Sequence, residues 1–194
     1  FKDAGYDTAY IGKWHLDGPN RPAPVPPGPR RQGFDYWTGA NFEHNYDRSY
    51  FTDNAGHLQM WEDWDAQAQT SHTIEYLKSR DTTNPFCLFL SWGPPHHPYR
   101  LAPKKYLDMY DPDAIQGRPN CPDVPREDLW GYYAQTTFLD DQFQRLLNVL
   151  DELEITENTI VVFSSDHGDM HGSHGLYKKQ WPWNEAIKIP FVIR

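Results

Sequence analysis

Thr159-Ile160-Val161-Val162-Phe163-Ser164-Ser165-Asp166-His167-Gly168-Asp169 changes character in its middle. Its first half is apolar and β-branched, which predicts a buried strand. The chain then switches at once to Asp, His and Gly. In open α/β sheets, ligands sit outside the carboxyl ends of the strands. Asp166 and His167 therefore stand where a parallel sheet presents its site. Gly168, Gly172 and Gly175 allow the loop to turn sharply and to approach a ligand closely. An Asp and a His at a strand end are candidate metal ligands, and Lys178 or Lys179 can face an anion. The competing reading is a surface loop whose His and Asp make only local hydrogen bonds.

Working outward, Glu127 to Leu153 carries Leu129, Tyr133, Thr136, Leu139, Phe143, Leu146, Leu150 and Leu153 at helical spacing. This predicts a long helix with one face on a sheet. Asp140, Asp141, Gln144 and Arg145 read as its solvated face. Phe86 to Trp92 is a near-continuous apolar run, typical of a strand covered on both faces, and it stops at Gly93-Pro94-Pro95-His96-His97-Pro98-Tyr99. Ala66 to Arg80 reads as a helix with one buried face. Thr8 to Gly12 reads as a short strand leading into Lys13-Trp14-His15-Leu16, and Phe34 to Trp37 and Ser49 to Phe51 as further short strands. Phe1 to Asp7 reads as the end of a helix stopped by Gly5, and Lys104 to Tyr110 as a short helix. Asp17 to Gly33 and Asp111 to Arg126 are loops by their Pro content. The alternation predicts an α/β domain, with a mostly parallel sheet and helices on both faces. Three strand ends then carry His: His15, His96 and His167. Each alone is more often a satisfied polar residue. Their convergence on one edge of the sheet is the expectation on which the site rests.

The chain has 194 residues, a size for one domain with a sizeable core. It begins Phe1-Lys2-Asp3 and ends in a strand-like Ile189 to Arg194, and reads as an internal segment of a longer protein. A formal charge of −9 argues against a nucleic-acid partner. It leaves open a small anion, which a few local cations can bind. The two Cys, Cys87 and Cys121, suggest no disulfide framework. No apolar run is long enough to span a membrane. The 8 Trp and 12 Tyr crowd the loops as well as the core, which suits a cleft that stacks on sugar or aryl rings, although packing under long loops explains them equally well.

Several motifs together resemble the type I sulfatases of the alkaline phosphatase-like superfamily. Ala4-Gly5-Tyr6-Asp7-Thr8 followed by Gly12-Lys13-Trp14-His15-Leu16 looks like that family's second signature. Ser91 to Tyr99 resembles its mid-domain histidine segment, and Tyr132 to Gln142 its long helix. Ser165 to Lys179, followed by Glu185 and Ile189-Pro190, resembles its metal-binding strand end and lysine. The resemblance covers essentially the whole chain in order and implies part of a sulfatase catalytic domain over residues 1–194. It implies hydrolysis of a sulfate ester, by a formylglycine made from Cys or Ser beside a divalent metal, usually calcium. By position, Asp166 and His167 match metal ligands, with His167 where many members have Asn. A nitrogen donor is unusual for calcium. Lys13 and Lys179 match lysines that contact sulfate, and His15 a residue that supports the formylglycine. His96 matches the histidine that binds sulfate or protonates the leaving oxygen. Two fixed cations, a metal and a general acid are also what a sulfate ester gathering negative charge requires.

The family's first signature, Cys or Ser-x-Pro-x-Arg, is absent from these residues. Cys121-Pro122-Asp123-Val124-Pro125-Arg126 has its Pro and Arg at the wrong offsets. The paired N-terminal Asp ligands are absent as well. The formylglycine is expected in the missing N-terminal part of the protein, and the segment alone is expected to be inactive. A carbohydrate sulfate is favoured over a small aryl sulfate by the aromatic loops, with specificity placed in Arg21 to Arg31 and Asn41 to Asp53. The resemblance suggests a periplasmic, secreted or lysosomal protein. Two other functions fit the residues: a phosphodiesterase or phosphonate monoester hydrolase of the same superfamily, and a non-catalytic metal-dependent binding protein. Retention of Lys13, His15, His96 and Lys179 together argues against the last.

Overall fold

The computed structural model describes residues 1–18, 23–42 and 44–194. Strand β1 (Asp7–Lys13) lies inside the main sheet, next to its edge. It is flanked by β2 (Tyr36–Ala40) and β5 (Phe86–Ser91), both parallel to it. Two short antiparallel strands, β3 (Tyr50–Thr52) and β4 (Leu58–Met60), extend the β2 side, giving the order β4-β3-β2-β1-β5. The chain enters β1 through a single 3-10 turn, Lys2–Ala4, closed by Gly5 at φ 82°. Gly12 sits at φ +104°, and a Cβ there would stand 2.2 Å from the Ser91 carbonyl oxygen. A side chain is therefore excluded where β1 and β5 deliver their ends to the site.

Alternation along β1 separates two cores. Ala9 and Ile11 face α1 (Asp65–Ser79), where Tyr76, Leu77 and Ala68 pack with Leu88 of β5. The long helix α3 (Arg126–Glu152) lies beside α1 and adds Val149 and Leu150 to the same cluster. Tyr10 points the other way, into Trp14, Phe34, Trp37 and Val25. The α/β class is as expected. Among the described residues, though, both long helices lie on one face of the sheet, and loop aromatics cover the other. Periodicity says that a helix has a buried stripe but not which face of the sheet receives it.

Burial departs from the sequence expectation in two strands. β5 is only partly covered, with Phe89 54% exposed. β6 (Val162–Ser164) is also half-exposed. It does not join the main sheet: it pairs antiparallel with β7 (Phe191–Ile193) as a separate ribbon. A cavity of about 770 Å³ runs between β5 and β6, floored by Leu139, Phe143, Leu146 and Leu150 of α3. Strands this apolar expect neighbours on both edges, and here each has a partner on one edge.

The short helix α2 (Lys104–Leu107) docks on α3 through Tyr106, whose hydroxyl donates to Asp141 at 2.6 Å. Arg145 donates to Gln142 and to Ser71 of α1. Asp140, Asp141 and Gln144 are exposed, as read for a solvated face, while half-buried Arg145 adds a packing contact to it. A last turn, α4 (Asn184–Ile187), precedes β7.

Candidate active site

The main sheet and the ribbon bring their carboxyl ends to one mouth of the cavity. Lys13, His15, His96, Asp166 and His167 all line the cavity, and the His96 and His167 rings lie 6.1 Å apart. His15 is exposed, at φ 53°, with its ring 5.1 Å from Phe42.

The loop after β5 is held from two sides. Gln135, fully buried on α3, donates Nε2 to the carbonyls of Pro98, Tyr99 and Leu101 at 2.8–3.1 Å. From the opposite side, the Tyr46 hydroxyl donates to the His96 carbonyl at 3.0 Å. Gly131 gives this loop its closest approach to α3, since a Cβ there would stand 2.3 Å from the Tyr99 oxygen.

Within that clamp, His96 Nδ1 lies 2.8 Å from the His97 carbonyl oxygen. A carbonyl only accepts, so Nδ1 carries the proton and Nε2 presents a lone pair. Lys179 Nζ donates into that lone pair. Lys178 is exposed beside it, in the left-handed region. Lys13 Nζ meets a second imidazole, His44 Nε2, at 3.2 Å. The His44 and His96 rings lie 4.4 Å apart, and His97 is 5.0 Å from His96.

Burial lowers the pKa of both lysines. The charge of Lys179 adds to the effect on Lys13, and that of Lys178 to the effect on Lys179, while Asp166 opposes both. Burial, together with the two lysine charges, pushes His44 down to about 3 and His96 to about 4. His97 is lowered too, first by burial and then by Lys178 and Lys179. At neutral pH the imidazoles are neutral acceptors and the site's positive charge sits on lysine.

His44, His96 and His97 have nitrogen atoms within 4.8 Å of one another, a spacing that suits a metal. The lysines decide against that reading. Ammonium groups already engage Nε2 of both His44 and His96, and a dication would have to displace them. Two ammonium groups set among neutral imidazoles can hold an anion.

Asp166 and His167 lie on the ribbon side. His167 Nδ1 faces the Gly168 carbonyl oxygen at 2.7 Å, which leaves Nε2 with its lone pair 3.4 Å from Asp166 Oδ2. One oxygen and one nitrogen donor therefore converge, and the Asp166 side chain is 83% exposed. These two residues fit half of a divalent-metal site, and the nitrogen suits a borderline transition metal at least as well as calcium. Asp169, next in the motif, is committed elsewhere. It accepts from the Tyr99 hydroxyl at 2.6 Å and from the His171 backbone N–H at 3.1 Å. Cys121 and Arg126 bond to backbone carbonyls outside the mouth.

Sequence reasoning passed over His44. It follows the carboxyl end of β2 as His15 follows β1 and His96 follows β5, so the same strand-end rule would have found it. Of the loops expected to set specificity, Arg21 lies outside the described residues. Arg31 is buried and donates to the carbonyls of Val25, Asp53 and Asn54, a structural use.

The family model "Sulfatase" matches residues 1–194. The chain belongs to the sulfatase family. It is 42% identical over its whole length to an ulvan-active sulfatase of Formosa agariphila, covering 39% of that protein. It is 30% identical, again over its whole length, to an endo-4-O-sulfatase of Bacteroides thetaiotaomicron, covering 44% of it. A solved structure named for the sulfatase yidJ of Bacteroides fragilis superposes with a TM-score of 0.90 at 32% identity, over 99% of this chain and 47% of that one. This sulfatase chain thus spans less than half the length of these relatives.

Proposed function

We propose that the protein is a sulfuric ester hydrolase acting on a sulfated carbohydrate, and that this chain supplies the anion-binding half of its active site. The observation that carries the reading is the facing of Lys13 and Lys179 across His44 and His96. Two ammonium groups held together, with no carboxylate within salt-bridge distance of either among the described residues, are poised for an anion. A carbohydrate is favoured because the relative at 42% identity is named an ulvan-active sulfatase and one at 30%, also matched over the whole chain, an endo-4-O-sulfatase. A relative at 32% over 63% of the chain is named an arylsulfatase, which keeps an aryl sulfate in the test.

Hydrolysis breaks the ester S–O bond, leaves the sulfur on water's oxygen and gives the sugar oxygen a proton. Lys13 and Lys179 bind the sulfate oxygens. His96, neutral at neutral pH, carries no extra proton to give, so the proton belongs to Lys179 and His96 Nε2 is its partner. This reading places the acid on Lys179, where the resemblance implies that His96 binds sulfate or protonates the leaving oxygen. Asp166 and His167 would hold a divalent ion, which supplies positive charge to a sulfate oxygen. The nucleophile and the remaining metal carboxylates are supplied by other parts of the protein. We assign their entry to the slot between β5 and β6: an apolar strand filling it would end at the mouth beside Lys13 and Asp166.

The test is hydrolysis of a panel of sulfated oligosaccharides, p-nitrophenyl sulfate and a phosphonate monoester by the whole protein. The reading expects sulfate release from the sugars. Preference for the phosphonate would move the protein to phosphoryl chemistry. Lys13→Ala and Lys179→Ala should each lower kcat/KM at least ~100-fold, the scale of a lost oxyanion donor.

A further inference from the structure

We infer that His44 is a positioning residue for Lys13, the contact through which the loop following β2 sets the grip on the sulfate group. The inference rests on the anion-binding role of Lys13 proposed above.

A lysine side chain has a long flexible stem, and holding its head in one place costs about 2 kcal/mol of rotamer entropy. In this site a second ammonium, Lys179, repels it as well. Something must hold Lys13 without cancelling its charge. A carboxylate would do the first and undo the second. A neutral imidazole accepts the hydrogen bond and leaves the charge for the substrate. Lys13 Nζ lies 3.2 Å from His44 Nε2. The ring is fixed in turn, between Phe42 at 4.6 Å and His96 at 4.4 Å. Lys179 is held in the same way by His96. The two lysine–imidazole pairs therefore form one block, with His44 joining the loop after β2 to the loop after β5.

The test uses the whole protein with two substitutions. His44→Phe keeps a ring between Phe42 and His96 but removes the acceptor. His44→Gln keeps an uncharged acceptor near the Nε2 position. If His44 holds Lys13, His44→Phe raises KM for the sulfate ester about tenfold while kcat changes about threefold or less, the pattern of lost uniform binding. His44→Gln then recovers most of that loss. A second readout needs no turnover: NMR titration of 13C-methylated lysines, with Lys13 assigned through Lys13→Arg. Lys13 faces Lys179, Asp166, Asp65 and His44. Loss of the acceptor removes a stabiliser of the ammonium while Lys179 still repels it. The Lys13 titration then moves to lower pH in His44→Phe and returns toward wild type in His44→Gln. An unchanged Lys13 titration in His44→Phe overturns the inference, as does His44→Gln behaving like His44→Phe. A wild-type protein that hydrolyses no sulfate ester overturns the proposed function instead, and the titration still judges His44.

Discussion

Each lysine at the mouth is paired with an imidazole whose own basicity has been suppressed, and that has a consequence for acid stability. His44 and His96 fall from an ordinary 6.5 to about 3 and about 4, through burial and the lysine charges. Their folded forms resist protonation, whereas their unfolded forms accept a proton below about 6.5. Stability from these groups is therefore fully present above pH 6.5 and is lost as pH falls through about 4 for His96 and about 3 for His44. The melting temperature should drop across that window, and His44→Gln should flatten the drop. An unchanged pH profile in His44→Gln would remove His44 as a source of it. At this scale the position of His96, Asp166 and His167 along the cavity was legible because sites in α/β sheets lie at strand ends, whereas Lys13 was singled out by the family resemblance. The lysine–imidazole pairing was not, because it joins loops far apart in sequence.

At the scale of elements, α3 does more than cover the sheet. Gln135 is completely buried and serves three carbonyls of the loop that carries His96 and His97. Gln135→Leu takes this donor from the Tyr99 and Leu101 carbonyls, while Pro98 keeps the Leu101 N–H at 3.2 Å, and should cost about 1–3 kcal/mol per carbonyl that finds no water. It should lower kcat/KM as well, because the loop loses one side of its clamp. Retained stability and activity would mean that Tyr46 alone suffices. Gly131→Ala should destabilise by about 1–3 kcal/mol through overpacking against Tyr99, read by denaturant unfolding. The sequence placed β1, α1 and α3 to within about two residues, because their periodicity is strong over a long window. It missed β4, whose Leu58-Gln59-Met60 is short and exposed. It overstated the burial of β5 and β6, because burial depends on what fills the slot between them, and their own residues do not record that.

At the scale of the whole molecule, the slot between β5 and β6 leaves apolar side chains uncovered. Ile160 is 80% exposed and Val162 51% exposed beside an apolar cavity of about 770 Å³. An open apolar surface of this kind marks an interaction site or an aggregation liability. The account predicts that the 194-residue chain alone binds a hydrophobic dye such as ANS and that the whole protein does not. Equal binding by both would show that nothing enters the slot. The most direct test of the central claim is free sulfate, measured by ion chromatography. The whole protein would be incubated with sulfated oligosaccharides beside its Lys179→Ala variant. The account predicts stoichiometric sulfate release by the wild type and a loss of at least ~100-fold in the variant. Undiminished release by Lys179→Ala, or no release by the wild type from any sulfated sugar, would contradict it.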